Sequence, residues 1–187
     1  TLGASPNDVH TAEITDNETN PIIIGWNTTT STITEDTAGT ITLGVTLSGA
    51  SGSAITIPVT LSGTATLGSD YSAGSTITVP AGSTTGTLNI SITPDSGDEL
   101  DETVILSLGL PVTGAALGTN TVHTMTISDD DGTPNVSFAT ASATYAESAG
   151  AITATINLSQ TSLLPVTIPY TIGSASVATS GSDFTDT

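Results

Sequence analysis

Apolar and polar residues alternate along most of this chain. Ile41, Leu43, Val45 and Leu47 are separated by Thr42, Gly44 and Thr46. Ile55, Ile57, Val59 and Leu61 are separated by Thr56, Pro58 and Thr60, and Leu88, Ile90 and Ile92 by Asn89 and Ser91. A period of two puts successive side chains on opposite faces, so each run predicts a half-buried strand with a polar outer face. Shorter runs predict strands over 76–79, 104–108 and 122–127, with a leading strand over 22–32. Gly, Ser and Asp clusters punctuate them as turns. Seven short strands in about 110 residues, without helical periodicity, predict an all-β, immunoglobulin-like two-sheet sandwich.

The pattern repeats. Val9-His10-Thr11, Ile14-Thr15-Asp16-Asn17-Glu18 and Pro21 return as Val122-His123-Thr124, Ile127-Ser128-Asp129-Asp130-Asp131 and Pro134, each displaced by 113 residues. Glu35 recurs at Glu147, Ile57-Pro58-Val59 at Ile168-Pro169-Tyr170, and Gly68-Ser69-Asp70-Tyr71 at Gly181-Ser182-Asp183-Phe184. A period of this size is one small domain, so the chain reads as part of a tandem array. We expect residues 1–20 to be the last strand of a preceding repeat, 21–131 a complete sandwich, and 132–187 the first half of a following one. The chain thus ends inside a repeat at both ends, and its opening on Thr1 reads as a mature or excerpted piece. Pro58 and Pro169 fall at outward positions of the same strand, which predicts an edge or a bulge there.

Charge narrows the partners. The chain has 18 acidic residues, no Lys or Arg, and a formal net charge of -18. Such a polyanion cannot neutralise phosphates, which excludes nucleic acid, and it has no attraction to an anionic membrane surface. No segment reaches the roughly 20 apolar residues of a membrane span. Cys is absent, which removes disulfides and thiolate metal sites. His10 and His123 are isolated strand residues, which disfavours zinc.

The acids are grouped. Asp95, Asp98, Glu99, Asp101 and Glu102 precede the strand over 104–108, and Asp129, Asp130 and Asp131 end the last strand of the unit. Glu35 precedes the second strand and Asp70 follows the third; in a seven-strand sandwich these segments can converge at one end. Ordinary surfaces mix both signs, and loop acids are usually only solvated charge. Here there is no basic partner anywhere, so converging carboxylates need raised pKa values or a cation to remain ionised. A hard divalent ion with six to eight oxygen ligands, Ca²⁺, suits such a cluster better than Mg²⁺, which keeps more of its water. A carboxylate pair can also serve a glycosidase. Those enzymes need an aromatic-lined cleft, and only 3% of these residues are aromatic. We therefore expect no catalysis, and we expect Trp26 to be a core or inter-domain contact.

Glu35, the Gly68-Ser69-Asp70-Tyr71 loop, the stretch Asp98-Glu99-Leu100-Asp101-Glu102-Thr103-Val104 and the terminal Ile127-Ser128-Asp129-Asp130-Asp131 together resemble tandem Calx-beta domains. These are the Ca²⁺-binding sandwiches of sodium–calcium exchangers and of many large extracellular bacterial proteins. The resemblance covers essentially the whole chain. By position it implies calcium ligands at Glu35, Asp70, Glu99, Glu102, Asp129, Asp130 and Asp131, with Asp95, Asp98 and Asp101 as further candidates. Glu147 and Asp183 would begin the equivalent site of the next unit. In the leading unit Asp16-Asn17-Glu18 replaces the triple Asp, which implies a less negative site.

The expected role is structural: a segment of an extracellular or cell-surface adhesin stalk or filament, stiffened by Ca²⁺ at the domain end. The alternative is a Ca²⁺-sensing regulatory module attached to another protein. Expected partners are neighbouring repeats or copies of the chain in a fibre, with exchange of unpaired edge strands as a weaker option. Thr and Ser crowd the outer faces, and Asn17, Asn27, Asn89, Asn135 and Asn157 stand in Asn-X-Ser/Thr sequons, so glycans are a further expectation.

Overall fold

The computed structural model describes residues 21–37, 39–111, 114–173 and 178–185. The expected strand of a preceding repeat, with His10, Asp16, Asn17 and Glu18, lies outside the described residues.

Among the described residues of 22–128, ten strands form two five-stranded sheets. In chain order they are β1 (Ile22–Trp26), β2 (Thr30–Thr34), β3 (Thr40–Leu47), β4 (Ile55–Gly63), β5 (Tyr71–Ala73), β6 (Thr76–Val79), β7 (Thr85–Ile92), β8 (Glu102–Leu108), β9 (Ala115–Leu117) and β10 (Val122–Ser128). One sheet has the order β5-β7-β3-β1-β9 and the other β2-β10-β8-β4-β6. The alternation seen in the sequence sorts directly into the two faces: Leu43, Val45 and Leu47 of β3, Ile55, Ile57 and Val59 of β4, and Leu88, Ile90 and Ile92 of β7 are all buried between the sheets.

One local expectation needs correction and another holds only locally. The leading strand over 22–32 is two strands in different sheets: Trp26 pairs with Val45 in one, while Thr30 pairs with Thr124 in the other. The chain crosses between sheets at residues 27–29. Asn27 N–H is still bonded to Gly44 O at 2.9 Å, and Thr29 O already accepts from Thr124 N–H, also at 2.9 Å. Pro58 lies in a strand flanked by β6 and β8, and it marks a local edge on the β8 side rather than a bulge. It sits where β4 changes partner, pairing with β6 over 55–58 and with β8 over 59–63. Its carbonyl accepts from Gly109 N–H at 2.8 Å, so the missing donor falls at the very end of β8 and leaves no gap in the ladder.

Trp26 is a core residue, 2% exposed, with its ring centroid 5.9 Å from that of His123. His123 is fully buried and satisfied: Nδ1 bonds to Thr28 O and Nε2 to Ser31 Oγ, each at 2.8 Å. A carbonyl can only accept, so Nδ1 carries the proton and Nε2 accepts from the serine hydroxyl.

The following segment reproduces part of this plan. β11 (Val136–Phe138) and β12 (Ile156–Leu158) pair antiparallel with Val136 opposite Leu158 and Phe138 opposite Ile156. That is the register of Ile24 opposite Leu47 and Trp26 opposite Val45 in the preceding unit. Phe138 thus takes the place of Trp26, but it is 62% exposed because no second sheet among the described residues covers it.

Candidate functional site

Strand direction brings the acids to one end of the sandwich. β2 and β10 run parallel and finish together, with Thr34 opposite Ser128 and the Glu35 N–H bonded to Ser128 O at 2.9 Å. β8 runs antiparallel to β10 and begins there, with Glu102 opposite Ile127. β5 begins beside the end of β7, with Tyr71 opposite Ile92, which carries Asp70 to the same end. Glu35, Asp70, Glu99, Leu100, Glu102, Ile127 and Asp129 line a small cleft there.

Each side chain is held by its own local structure. Asp70 closes a tight loop in which its carboxylate accepts from Thr66 N–H and Gly68 N–H bonds to Tyr71 O at 2.8 Å. Gly68 holds φ of 96°, a conformation glycine adopts without strain. Tyr71 anchors the loop by burying its ring in the core. Gly63 ends β4 with φ of 125°, and a Cβ there would lie 2.0 Å from Thr103 O, so only glycine lets β4 reach the start of β8. Glu35 is buried, and its Oε1 accepts from Asp95 N–H at 3.2 Å. Asp101 accepts from Ser128 Oγ–H and Asp129 N–H at 3.1 Å each, fixing the chain as it leaves β10.

Glu35, Asp129 and Asp131 each offer a carboxylate oxygen within 4.8 Å of the others. Asp129 Oδ1 is buried and has no hydrogen-bond partner among the described residues. An anionic oxygen held out of water without a donor is costly. The other acids register the same crowding. Burial first, then Asp95, raises Glu35 to about 6. Burial, then a hydrogen bond and the charge of Asp70, raises Glu102 to about 7. Glu99 is raised by burial and then by Asp95 and Asp70, and Asp131 by desolvation and then by Asp129 and Asp36. Without a cation this end of the molecule therefore retains protons that ordinary carboxylates have lost by neutral pH. A hard cation meets the lone acceptor of Asp129 and removes the repulsion together, so the residues present fit Ca²⁺.

The expected ligands do not all gather. Asp130 is exposed, with Oδ1 accepting from Asp36 N–H at 3.4 Å. Asp98 is buried but turns toward the following segment, accepting from Ser162 Oγ–H at 3.0 Å. Asp95 accepts from Gly97 N–H at 2.7 Å. Glu147 stands on a single exposed 3₁₀ turn, Glu147–Ala149, and Asp183 lies in a loop of the following segment. That loop copies the first: Thr179 N–H bonds to Asp183 Oδ2 at 2.7 Å, Gly181 N–H to Phe184 O at 2.8 Å, and Gly181 holds φ of 86°. Asp36, whose charge acts on Asp131, is the acid that the sequence reading missed. Its only signal there was its place beside Glu35.

Comparison with known proteins agrees with this architecture. The Calx-beta domain family model matches residues 17–131 and again 129–187. Among solved structures, the apo form of the Calx CBD1 domain is 23% identical with a TM-score of 0.54, covering 60% of this chain and 100% of that one. CBD12 from CALX1.2 is 22% identical with a TM-score of 0.54, covering 59% of this chain and 46% of that one. The chain therefore spans about half the length of that structure. The Calx CBD2 domain is 15% identical with a TM-score of 0.51, covering 58% of this chain and 86% of that one. At these identities the likeness speaks for the fold. None of the curated proteins compared matches the chain. With the family model matched twice in succession and the sandwich shared with Calx domains, the chain belongs to the Calx-beta family, as a tandem arrangement of its domains.

Proposed function

We propose that this chain is a Ca²⁺-binding structural segment, its ion held by Glu35, Asp70, Glu99, Glu102, Asp129 and Asp131, with Asp130 and Asp95 at the rim. The observation that carries the reading is Asp129 Oδ1, buried between Glu35 and Asp131 without a donor among the described residues, in a chain that has no Lys or Arg. The ion would act electrostatically, joining the ends of β2 and β10 to the start of β8. Because Asp129, Asp130 and Asp131 lead straight to Pro134 and the next unit, a bound ion would also restrict the joint between units. Glu147 and Asp183 would open a second such site. Such a segment suits a non-catalytic stalk or filament at the cell surface, built from neighbouring repeats or copies of itself. Isothermal titration calorimetry of the whole chain tests the ion: binding at or below millimolar Ca²⁺ is expected, and no heat up to that concentration refutes it.

Glycans on the outer faces belong to the same reading. Asn27 and Asn89 lie on the outer face of the first sheet, where their Oδ1 atoms accept from Thr46 and Thr42 hydroxyls at 2.6 and 3.0 Å. Peptides carrying Asn27 and Asn89 from native material should weigh more than their sequences, and unmodified peptides rule glycans out there.

A further inference from the structure

One buried acid of the cluster stays out of the cleft. Asp98 faces the loop at residues 160–164, which follows β12 in the next unit. Hydrogen bonds join the two segments: Asp98 N–H to Thr161 O at 3.3 Å, Leu163 N–H to Asp98 O at 3.1 Å, and Ser162 Oγ–H to Asp98 Oδ2 at 3.0 Å. They form a parallel β-bridge between Asp98 and Ser162. Ser162 is itself fixed, since Leu164 N–H donates to its Oγ at 3.2 Å. Gly97 leaves the approach open, because a Cβ there would come within 3.3 Å of Leu163. The receiving loop is tied to the base of its own unit by Gln160 Nε2–H to Gly132 O and by Ser159 N–H to Asn135 O at 2.9 Å.

We propose that residues 97–98 and 160–164 form an inter-unit latch that sets the orientation of adjacent repeats and acts independently of the cation. Its partner surface is the loop after the third-strand equivalent of the next repeat. The receiving loop is particular to this unit. In the preceding unit the aligned loop reads Gly49-Ala50-Ser51-Gly52-Ser53, which keeps the serine but replaces Gln160, Leu163 and Leu164 by small residues. Backbone pairing there would have to overcome the conformational freedom of two glycines.

The test uses the whole chain, which has no Cys, so spin labels at Thr87→Cys and Thr155→Cys are unique. Distance distributions are recorded for the native loop, for Ser162→Ala, and for a chain carrying Gly-Ala-Ser-Gly-Ser at 160–164, each with Ca²⁺ and with chelator. A modest broadening is expected for Ser162→Ala. The loop replacement should broaden the distribution clearly in both conditions, with calorimetric Ca²⁺ binding unchanged. Superimposable distributions for native and replaced loops in both conditions would overturn the latch. If the Ca²⁺ reading alone is wrong, chelator changes neither chain while the replacement still broadens the distribution.

Discussion

Asp129 keeps one carboxylate oxygen buried, with no donor among the described residues to meet it, flanked by Glu35 and Asp131. Replacing it by Asn removes a charge from that crowd. Asp129→Asn should weaken Ca²⁺ binding by tenfold or more, about 1.4 kcal/mol. The same change should raise the melting temperature of the cation-free chain by a few degrees, at about 4 °C per kcal/mol. Loss of both stability and affinity would argue against a repulsive site. The raised carboxyls set a pH dependence of definite sign. Glu35 at about 6 and Glu102 at about 7 hold protons that the unfolded chain, near 4.5, has already released. Between those values the native state binds more protons than the unfolded one, so stability falls as pH rises through the window. Below about 4.5 both states are protonated and the penalty is absent; above 7 it is complete. Thermal melts in chelator should therefore shift downward from pH 5 to pH 8, and saturating Ca²⁺ should reverse the trend by requiring the ionised forms. A melting temperature in chelator that is flat over this range contradicts the assignment.

At the scale of elements, β3, β4, β7, β8 and β10 were legible because each is long enough to show the period of two on a buried face. β5 and β9 were not, since three residues cannot display a period. The break between β1 and β2 was also hidden: Thr28 and Thr29 suit a strand, and the choice of partners, β3 or β10, splits it. The acidic ends were readable as loops, and the loop around Asp70 proved so locally determined that it recurs around Asp183. What the string of acids at 95–102 could not show was direction, for Glu99 and Glu102 line the cleft while Asp98 turns to Ser162. Gly63 ties element to site. Gly63→Ala places a methyl group on Thr103 O and forces an unfavourable φ, which should cost about 3 kcal/mol. Because Glu102 begins the displaced strand, Ca²⁺ affinity should fall as well. Chemical denaturation and calorimetry of the variant check both, and an unchanged denaturation midpoint would show that β8 yields freely.

For the whole molecule, a ligand that binds only the folded state adds stability by mass action. At a hundredfold excess over its dissociation constant, Ca²⁺ should stabilise the chain by about 2.7 kcal/mol. Calorimetric scans with Ca²⁺ and with chelator measure the difference, which should be concentrated in the transition of residues 21–131. Strand direction has one more consequence. β2, near the entry to the complete unit, and β10, at its exit, lie side by side and parallel over five residue pairs. Tension applied to the two ends drags these strands past one another lengthwise, loading their cross-links together instead of peeling them singly. Domains wired in this way resist extension strongly, and here the two sliding strands lead directly into Glu35 and Asp129. In single-molecule pulling the rupture force should thus rise when Ca²⁺ bridges those ends, so a tether made of such units would toughen wherever the surrounding fluid is rich in the ion.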